Sequence, residues 1–183
     1  MNSYGKLFQV TLYGESHQEA IGVVVDGIPA GTPIDLDVIT SDLKKRQPGA
    51  VGTTPRKEAD AFRITSGVFN GYATGSPVHL MIENQNVKSK DYEHLVKQPR
   101  PGHADFVSKV KYKGFQDYRG GGRFSGRLTA ALVAAGSLAK TFLPFEFNHQ
   151  LIQVGELKDM DQLDDYILKI AESVDSVGGI IEL

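Results

Sequence analysis

The alanine-rich segment from Ser125 to Phe142 is the part of the sequence that most constrains the fold. Apolar residues recur in it at three- and four-residue spacing, which predicts a helix. Because most of its residues are small, this helix is expected to pack closely against another element. The apolar positions that define it are Leu128, Leu132, Ala135 and Leu138.

The rest of the chain predicts a mixture of short strands and further helices. Asn84 to Pro101 is polar and ends in a proline-rich stretch, which predicts a loop. Strands are predicted at Leu7 to Leu12, Ile21 to Val25, Phe62 to Phe69, Val78 to Ile82 and Gly179 to Leu183. Helices are predicted after an N-cap at Asp35 with Leu36, Ile39 and Leu43 on the apolar face, at Ala104 to Tyr112, and around Leu163, Ile167 and Ile170.

The composition excludes several classes of protein. The 183 residues include no cysteine, which excludes disulfide scaffolds, thiolate metal sites and cysteine nucleophiles. No histidine or acidic spacing typical of zinc or calcium sites occurs, so no metal is expected. The longest apolar stretches are far shorter than the roughly 20 residues that cross a bilayer. We therefore expect a single domain over residues 1–183, in a reducing, aqueous compartment such as the cytoplasm, with no membrane partner.

Charges are strongly segregated along the chain, although the formal net charge is only -2. Residues 44–57 carry five cations and no acid, and residues 97–127 carry eight cations against two acids. If these two basic segments converge, they form a cationic focus suited to a small, multiply charged anion. The slightly acidic overall balance argues against a nucleic-acid binder.

Two segments combine a histidine with other polar residues. Ser16 and His17 follow a predicted strand, at a position where side chains reach a ligand. The alternative is that Ser16 makes a local turn hydrogen bond and that His17 is a surface imidazole. In the second segment, Arg100, His103 and Asp105 share a loop, where Asp105 either orients His103 or caps the next helix.

The third segment is RGGGRFSGR, from Arg119 to Arg127. Backbone N–H groups at the start of the following helix favour an anion. Arg123 and Arg127 are four residues apart, so they are expected to project from one face of the first helical turns. The alternative for the glycine run is a flexible linker.

Seven motifs together resemble the chorismate synthase family, in the family's order and spacing across nearly the whole chain. They are GESH at 14–17, VDGIPAG at 25–31, KKRQPG at 44–49, TTPRKEAD at 53–60, TSGVFNGYATGSPV at 65–78, RPGHAD at 100–105 and DYRGGGRFSGRLTAALVAAGSLAK at 117–140. The resemblance implies an α+β fold, the β-α-β sandwich of that family, of which this chain would be roughly the first half.

The resemblance also implies an activity. The protein would convert 5-enolpyruvylshikimate 3-phosphate to chorismate and phosphate by a 1,4-elimination, the last common step of the shikimate pathway. The reaction requires reduced FMN although it consumes no net reducing equivalents, and NADPH is the expected reductant of the flavin. Family members assemble as homotetramers.

Individual residues inherit roles from the resemblance. His17 would act as an acid near the departing phosphate, and His103 would supply a proton to the flavin. Positions that match substrate-binding residues are Ser16, Arg46, Arg100 and Arg127. Positions that match FMN contacts are His103, Arg123, Phe124 and Ser125.

Some positions differ from those usual in the family. Gln18 stands where Gly is usual, Phe124 where Ser is usual, and Leu128 where Glu is usual. A bulky Phe124 in a flavin-contacting position predicts weak FMN binding. The chain has about half the length of family members, and residues 176–183 resemble residues 20–27, so it is expected to stop where a second copy of an early strand begins.

Two other functions stay open on the sequence alone. A non-catalytic remnant would keep the fold and an anion site without turnover, which the missing second half favours. An RNA-binding protein would use the RGGGR run with nearby aromatic residues as stacking partners, but the acidic remainder of the chain would repel phosphates. Those aromatic residues are Tyr112, Phe115, Tyr118 and Phe124.

Overall fold

The computed structural model of the protein describes residues 2–49, 51–53, 59–85 and 89–183, with backbone only at 89–91. Its residues group into two compact units. The first comprises Met1–Arg46 and Glu58–Leu143, and the second comprises Gln47–Lys57 and Pro144–Leu183. Residues 54–58 of the TTPRKEAD motif lie outside the described residues.

The first unit is built on an antiparallel sheet. Its strands are β1 (Ser3–Tyr4), β2 (Gln9–Gly14), β3 (Ala20–Asp26), β4 (Phe62–Ser66) and β7 (Val78–Glu83). They are ordered β1-β2-β3-β7-β4, so β7 inserts between β3 and β4. A separate two-stranded hairpin joins β5 (Val68–Phe69) to β6 (Tyr72–Ala73).

Four α-helices accompany the strands in the described part of the chain. They are α1 (Leu36–Arg46), α2 (Asp105–Lys111), α3 (Thr129–Lys140) and, in the second unit, α4 (Leu163–Glu172). Short 3₁₀ segments lie at Ser89–Val96, Arg119–Phe124, Gly126–Leu128 and Met160–Gln162. The second unit also contains β8 (Gln150–Val154) and β9 (Gly179–Glu182), which pair antiparallel.

The core of the first unit lies between one face of the sheet and the helices α1 and α3. Alternation along β3 and β7 places every second residue on this face, and the register pairs Ile21 with Ile82 and Val23 with Leu80. The side chains that α3 buries are mostly small, which lets its backbone approach the sheet closely. They are Ala130, Ala131, Ala134, Ala135, Ser137 and Leu138.

The α+β prediction is confirmed, and so are several local predictions. Asp35 Oδ1 accepts hydrogen bonds from the backbone of Asp37 at 2.8 Å and of Val38 at 3.3 Å, as expected of an N-cap. The alternation of Val78, Leu80 and Ile82 is confirmed because all three are fully buried in β7. The strand predicted at the end of the chain forms as β9.

Other element boundaries were predicted wrongly. The helix expected from Ser125 begins only at Thr129, after a 3₁₀ turn, and its Leu132 is exposed because alanines form the packed face. The strand expected at Phe62 to Phe69 breaks at Gly67, which has φ +82. The strand predicted at Leu7 to Leu12 is β2, which starts at Gln9 and leaves Leu7 exposed. Part of the loop predicted at Asn84 to Pro101 is the 3₁₀ segment Ser89–Val96.

Candidate active site

The turn between β2 and β3 presents Ser16 and His17 to the glycine run. Ser16 N donates to the carbonyl of Gly122 at 3.2 Å, and Ser16 Oγ lies 3.2 Å from the carbonyl oxygens of both Arg119 and Gly120. Both side chains are buried, with His17 only 6% exposed. The interpretation of His17 as a surface imidazole is therefore wrong, and Ser16 bonds across the sequence as well as to its neighbour His17.

These contacts fix how the His17 ring is held. His17 Nδ1 lies 3.2 Å from Ser16 Oγ. A serine hydroxyl has a single proton, and the carbonyls of Arg119 and Gly120 take it, so Ser16 Oγ acts as the acceptor for His17 Nδ1–H. Nδ1 is thus the ring nitrogen that carries a proton toward Ser16, and Nε2 is the ring nitrogen on the side away from Ser16.

The glycine run is a rigid, left-handed segment. Gly120, Gly121 and Gly122 have φ values of 57°, 84° and 52°, a region that residues with a Cβ rarely adopt. A Cβ on Gly120 would lie 2.0 Å from His17 Cε1, and one on Gly121 would lie 2.9 Å from His103 Cε1. The flexible-linker interpretation is wrong, because this backbone is wedged against both imidazoles.

His103 belongs to a tight cluster with Arg100 and Asp105. Asp105 Oδ1 lies 2.7 Å from His103 Nδ1, while Arg100 Nε and Nη2 donate to the two carboxylate oxygens at 2.8 and 2.9 Å. Arg100 Nη2 also lies 3.2 Å from His103 Nδ1, but that nitrogen cannot accept from Arg100 while it donates to Asp105. Asp105 therefore orients His103, and α2 has no side-chain cap, so the capping interpretation is wrong.

Tyr92 connects the two histidine-bearing loops. Its ring is nearly perpendicular to the His17 ring, with 5.0 Å between the centroids. The guanidinium carbon of Arg100 lies 6.0 Å from the centroid of the same Tyr92 ring, at the outer limit of a cation–π contact. One aromatic side chain thus contacts both groups.

The hydrogen bonds from Arg100 lower the pKa of the Asp105 carboxyl far below its ordinary value, although burial opposes the shift. The same bonds raise the pKa of Arg100. Because the folded pKa of Asp105 lies below its unfolded value of about 3.9, its contribution to stability is complete above that pH and is lost as the pH falls.

Asp105→Asn is therefore expected to destabilise the protein at neutral pH and to flatten its loss of stability on acidification. Urea unfolding followed between about pH 6 and about pH 2 measures this as the difference from the unsubstituted protein at each pH. The variant must be compared with the unsubstituted protein at each pH, because Asp42 and Asp117 also have lowered pKa values and contribute to the loss of stability in acid in both proteins. An acid-side slope that Asp105→Asn leaves unchanged would contradict the assignment.

Arg46 and Arg127 meet at a buried carboxylate that the sequence did not single out. Arg46 Nη2 donates to Asp60 Oδ2 at 2.6 Å, and Arg127 Nη1 donates to Asp60 Oδ1. The Asp60 side chain is 0% exposed, whereas those of Arg46 and Arg127 are 19% and 8% exposed. The structure thus brings together two of the predicted substrate-binding arginines, one from the end of α1 and one from the turn before α3.

Asn84 links this arginine pair to the turn that carries Ser16 and His17. Its Oδ1 accepts from Arg127 Nε at 3.1 Å. Its Nδ2 donates to the carbonyls of Glu15 at 3.0 Å and Gln18 at 2.9 Å. One arginine from each basic segment, Arg46 and Arg127, is therefore joined to this turn through Asp60 and Asn84.

Gln18 links the turn between β2 and β3 to Asp117. Its Nε2 donates to Asp117 Oδ2 at 2.9 Å, and that carboxylate also receives two hydrogen bonds from the Arg119 side chain. Burial raises the pKa of Asp117, but the bonds from Arg119 and Gln18 outweigh it, and the net shift is downward. Glu15 has a raised pKa, first because it is partly buried and then because Asp117 is near.

The predicted flavin contacts do not converge on His103. Arg123 Nε donates to Asn2 Oδ1 at 3.0 Å, and the Phe124 ring packs near Tyr112, with 6.2 Å between the centroids. Ser125 caps the 3₁₀ turn by accepting from Arg127 N at 3.3 Å. Arg123 and Arg127 do not share a helix face as predicted, because Ser125 between them is extended, with ψ 142°.

A cleft of about 650 Å³ lies beside the turn between β2 and β3. Neither His17 nor His103 lines it, so this cleft and the two imidazoles are different features of the first unit. It is nevertheless suited to a planar, anionic ligand because it combines aromatic rings with a guanidinium group. Its lining includes Tyr13, Glu15, Gln18, Tyr112, Phe115 and Arg123.

Four residues of the site were missed by the sequence reasoning: Asp60, Asn84, Tyr92 and Asp117. Their roles depend on contacts across tens of residues, and no local spacing signals such contacts. The hints in the sequence were that Asp60 ends the TTPRKEAD motif and lies three residues after the basic segment 44–57, whose charge calls for a partner.

Searches for other features gave two findings. Within residues 2–49, 51–53, 59–85 and 89–183, no three His, Asp or Glu side chains are grouped so that they could hold a metal ion. In the same residues, no helix combines the length and apolar character needed to cross a membrane.

Comparison with known proteins assigns the chain to a family. The family model for chorismate synthase matches residues 8–183. A chorismate synthase of Chitinophaga pinensis is 52% identical over the whole chain, which covers 54% of that protein. One of Methanocaldococcus jannaschii is 38% identical, again over the whole chain, which covers 59% of it. The chain thus spans little more than half the length of the curated relatives it matches.

A solved structure described as the crystal structure of chorismate synthase has the same fold. It superimposes on 96% of this chain with a TM-score of 0.72, at 24% sequence identity, and the match covers 56% of that structure. The sequence comparisons carry the family assignment, and the solved structure shows the shared fold. The chain belongs to the chorismate synthase family.

Proposed function

We propose that the protein that carries this chain converts 5-enolpyruvylshikimate 3-phosphate to chorismate and phosphate. The observation that supports this most directly is that Ser16, His17 and His103 all contact one rigid glycine run, with cationic side chains on both sides. In this elimination the C3–O bond to phosphate and the C6–H bond break, and one carbon–carbon double bond forms. No net oxidation or reduction occurs.

The substrate carries a phosphate and two carboxylates, and we assign Arg46, Arg100 and Arg127 to these groups. A guanidinium group keeps its charge at all working pH values and offers paired donors that match an oxyanion. Arg100 is partly exposed and Arg46 is 19% exposed, so both can be reached from solvent. Their placement at the end of α1, on the loop before α2 and in the 3₁₀ turn before α3 gives the cationic segments of an otherwise acidic chain a role.

His17 is assigned as the acid that assists the departure of phosphate. Its Nδ1 is committed to Ser16 Oγ, so the proton to be donated sits on Nε2. Burial against Tyr92 and the glycine run holds the ring in a single orientation. An imidazole held in one orientation is suited to general acid catalysis.

His103 is assigned to the reduced FMN that the reaction requires. The residues present fit such a group in chemical type, because His103 is 27% exposed and Asp105 fixes its Nδ1, which leaves Nε2 to exchange a proton with a ligand. Bound reduced flavin supplies electron density transiently while phosphate leaves and recovers it afterwards. We also assign Arg123, Phe124 and Ser125 to the flavin, with NADPH as its reductant; this assignment rests on the family resemblance, because in the structure these residues do not converge on His103.

The test is the release of phosphate from 5-enolpyruvylshikimate 3-phosphate under anaerobic conditions by the protein that contains these residues. Release is expected to require chemically reduced FMN and to yield chorismate in equal amount. Release that proceeds equally without flavin, or binding of neither substrate nor FMN by the protein, would refute the proposal. Replacing the chemical reductant with NADPH measures whether flavin reduction is intrinsic.

We also propose that the protein acts in the cytoplasm as a homotetramer, as its family resemblance implies. Light scattering coupled to size-exclusion chromatography measures the mass of the assembly. A monomer at micromolar concentration would contradict the tetramer without affecting the assignment of the reaction.

A further inference from the structure

Asp60 is a buried carboxylate whose position is held by two cations. Its side chain is 0% exposed, and its two oxygens accept from Arg46 and Arg127 respectively. Its backbone has φ 49°, a conformation that costs a residue with a Cβ some free energy. The two ion pairs must offset that cost as well as the loss of hydration of the carboxylate.

Asp60 contacts the guanidinium group of Arg46 through one nitrogen only. Asp60 Oδ2 takes Nη2 at 2.6 Å, while Nε of Arg46 is buried and has no hydrogen-bond partner among the residues that the structure describes. An oxyanion binds arginine best through two parallel bonds from one edge, such as Nε and Nη2 together. A phosphate or carboxylate ligand that takes this edge would share Nη2 with Asp60 or displace it, and in either case its negative charge competes with that of Asp60 for the guanidinium group.

We propose that Asp60 is an internal counter-anion, which keeps Arg46 and Arg127 assembled in the unliganded protein and competes with the anionic group of the ligand for them. This role depends on the proposed binding of the substrate by these arginines. Without Asp60, two buried cations would lie close together with no neutralising charge. Asp60 thus stabilises the empty site and lowers its affinity for anions, so that a ligand with several anionic groups is favoured over free phosphate.

The experiment measures the binding of inorganic phosphate to this chain at fixed ionic strength, by calorimetry and by the phosphate-induced rise in the thermal midpoint. Asp60→Asn keeps the size of the side chain and removes its charge. We expect it to lower the midpoint without phosphate, to enlarge the rise caused by phosphate, and to tighten phosphate binding by roughly tenfold. In the Arg46→Ala background the same substitution is expected to give no such gain.

Asp42→Asn is the matched control. Asp42 is also a largely buried carboxylate between α1 and α3, but its hydrogen bonds come from Lys45, Lys140 and Ser137, and none comes from Arg46 or Arg127. The Asp42→Asn variant is expected to be less stable than the unsubstituted protein and to bind phosphate equally well. An equal gain in Asp42→Asn, or phosphate binding by folded Asp60→Asn that is unchanged or weaker, would overturn the proposal.

Asp60→Gly covers the case in which Asp60→Asn does not fold. Glycine accepts φ 49° without strain, so this variant removes the charge while relieving the backbone. If neither variant folds even in phosphate, the proposal also fails, because the added anion should replace the missing charge. The phosphate-binding assay contains no flavin or substrate, so its result does not depend on turnover. If phosphate affinity rises as expected but the separate assay of the proposed reaction shows no turnover, the proposed reaction is refuted and the role of Asp60 stands.

Discussion

His17→Gln is expected to slow phosphate release from 5-enolpyruvylshikimate 3-phosphate by roughly two to four orders of magnitude, the usual loss when a general acid is removed. Glutamine can still hydrogen-bond to Ser16 Oγ, but it has no nitrogen that releases a proton near neutral pH. The substitution should therefore reduce kcat much more than it raises KM. Steady-state kinetics with reduced FMN, combined with far-UV circular dichroism, measure both the rate and the fold.

His79→Gln is the control for His17→Gln. His79 is another hydrogen-bonded imidazole of the first unit, and its Nε2 lies 2.7 Å from Tyr13 Oη, on β7 rather than beside the glycine run. We expect it to leave kcat within a few fold of the unsubstituted protein. A loss of kcat that is the same in both variants would point to a general disturbance of the sheet and would exclude a specific role for His17.

Gly120→Ala is expected to destabilise the protein by about 3 kcal/mol, the sum of a strained backbone and an overpacked contact. The added Cβ would meet His17 Nδ1 at 2.2 Å and Cε1 at 2.0 Å, at a residue with φ 57°. Because the His17 ring must move, phosphate release should fall as well. Urea denaturation gives the free energy of unfolding, and the kinetic assay is run well below the midpoint.

Gly126→Ala provides the comparison for Gly120→Ala. A Cβ at Gly126 would have no heavy atom within 4 Å, and its φ lies outside the left-handed region. Stability is expected to stay within about 0.5 kcal/mol, as for other unconstrained surface substitutions. If Gly120→Ala were equally harmless, the close packing of the glycine run on His17 would be refuted.

Local patterns predicted the parts of the fold that local chemistry determines. The alternation of Val78, Leu80 and Ile82 and the N-cap at Asp35 were correct because each depends on residues close in the sequence. The predicted helix face on α3 was only partly correct. Leu132 has the right spacing, yet the sheet accepts the smaller alanines, and this preference depends on how closely two distant elements approach.

The residues of the site were predictable by type and by family resemblance, but their contacts were not. Ser16 bonds to carbonyls more than a hundred positions away, and these bonds orient the hydroxyl group that contacts His17. Asp60 takes its role from an arginine 67 residues further along the chain. Such pairings follow from how the strands and loops are arranged in space, and a single sequence contains no direct record of that arrangement.

The left-handed glycine run also has a consequence for engineering the enzyme by random mutagenesis. The same three positions touch Ser16, His17, His103 and Asp117, so a library that varies residues 120–122 would yield almost only inactive clones. Phe124, by contrast, is 37% exposed and touches neither imidazole, so changes in the proposed flavin binding are better sought there. Screening effort can thus be directed to position 124 while the preceding glycines are kept constant.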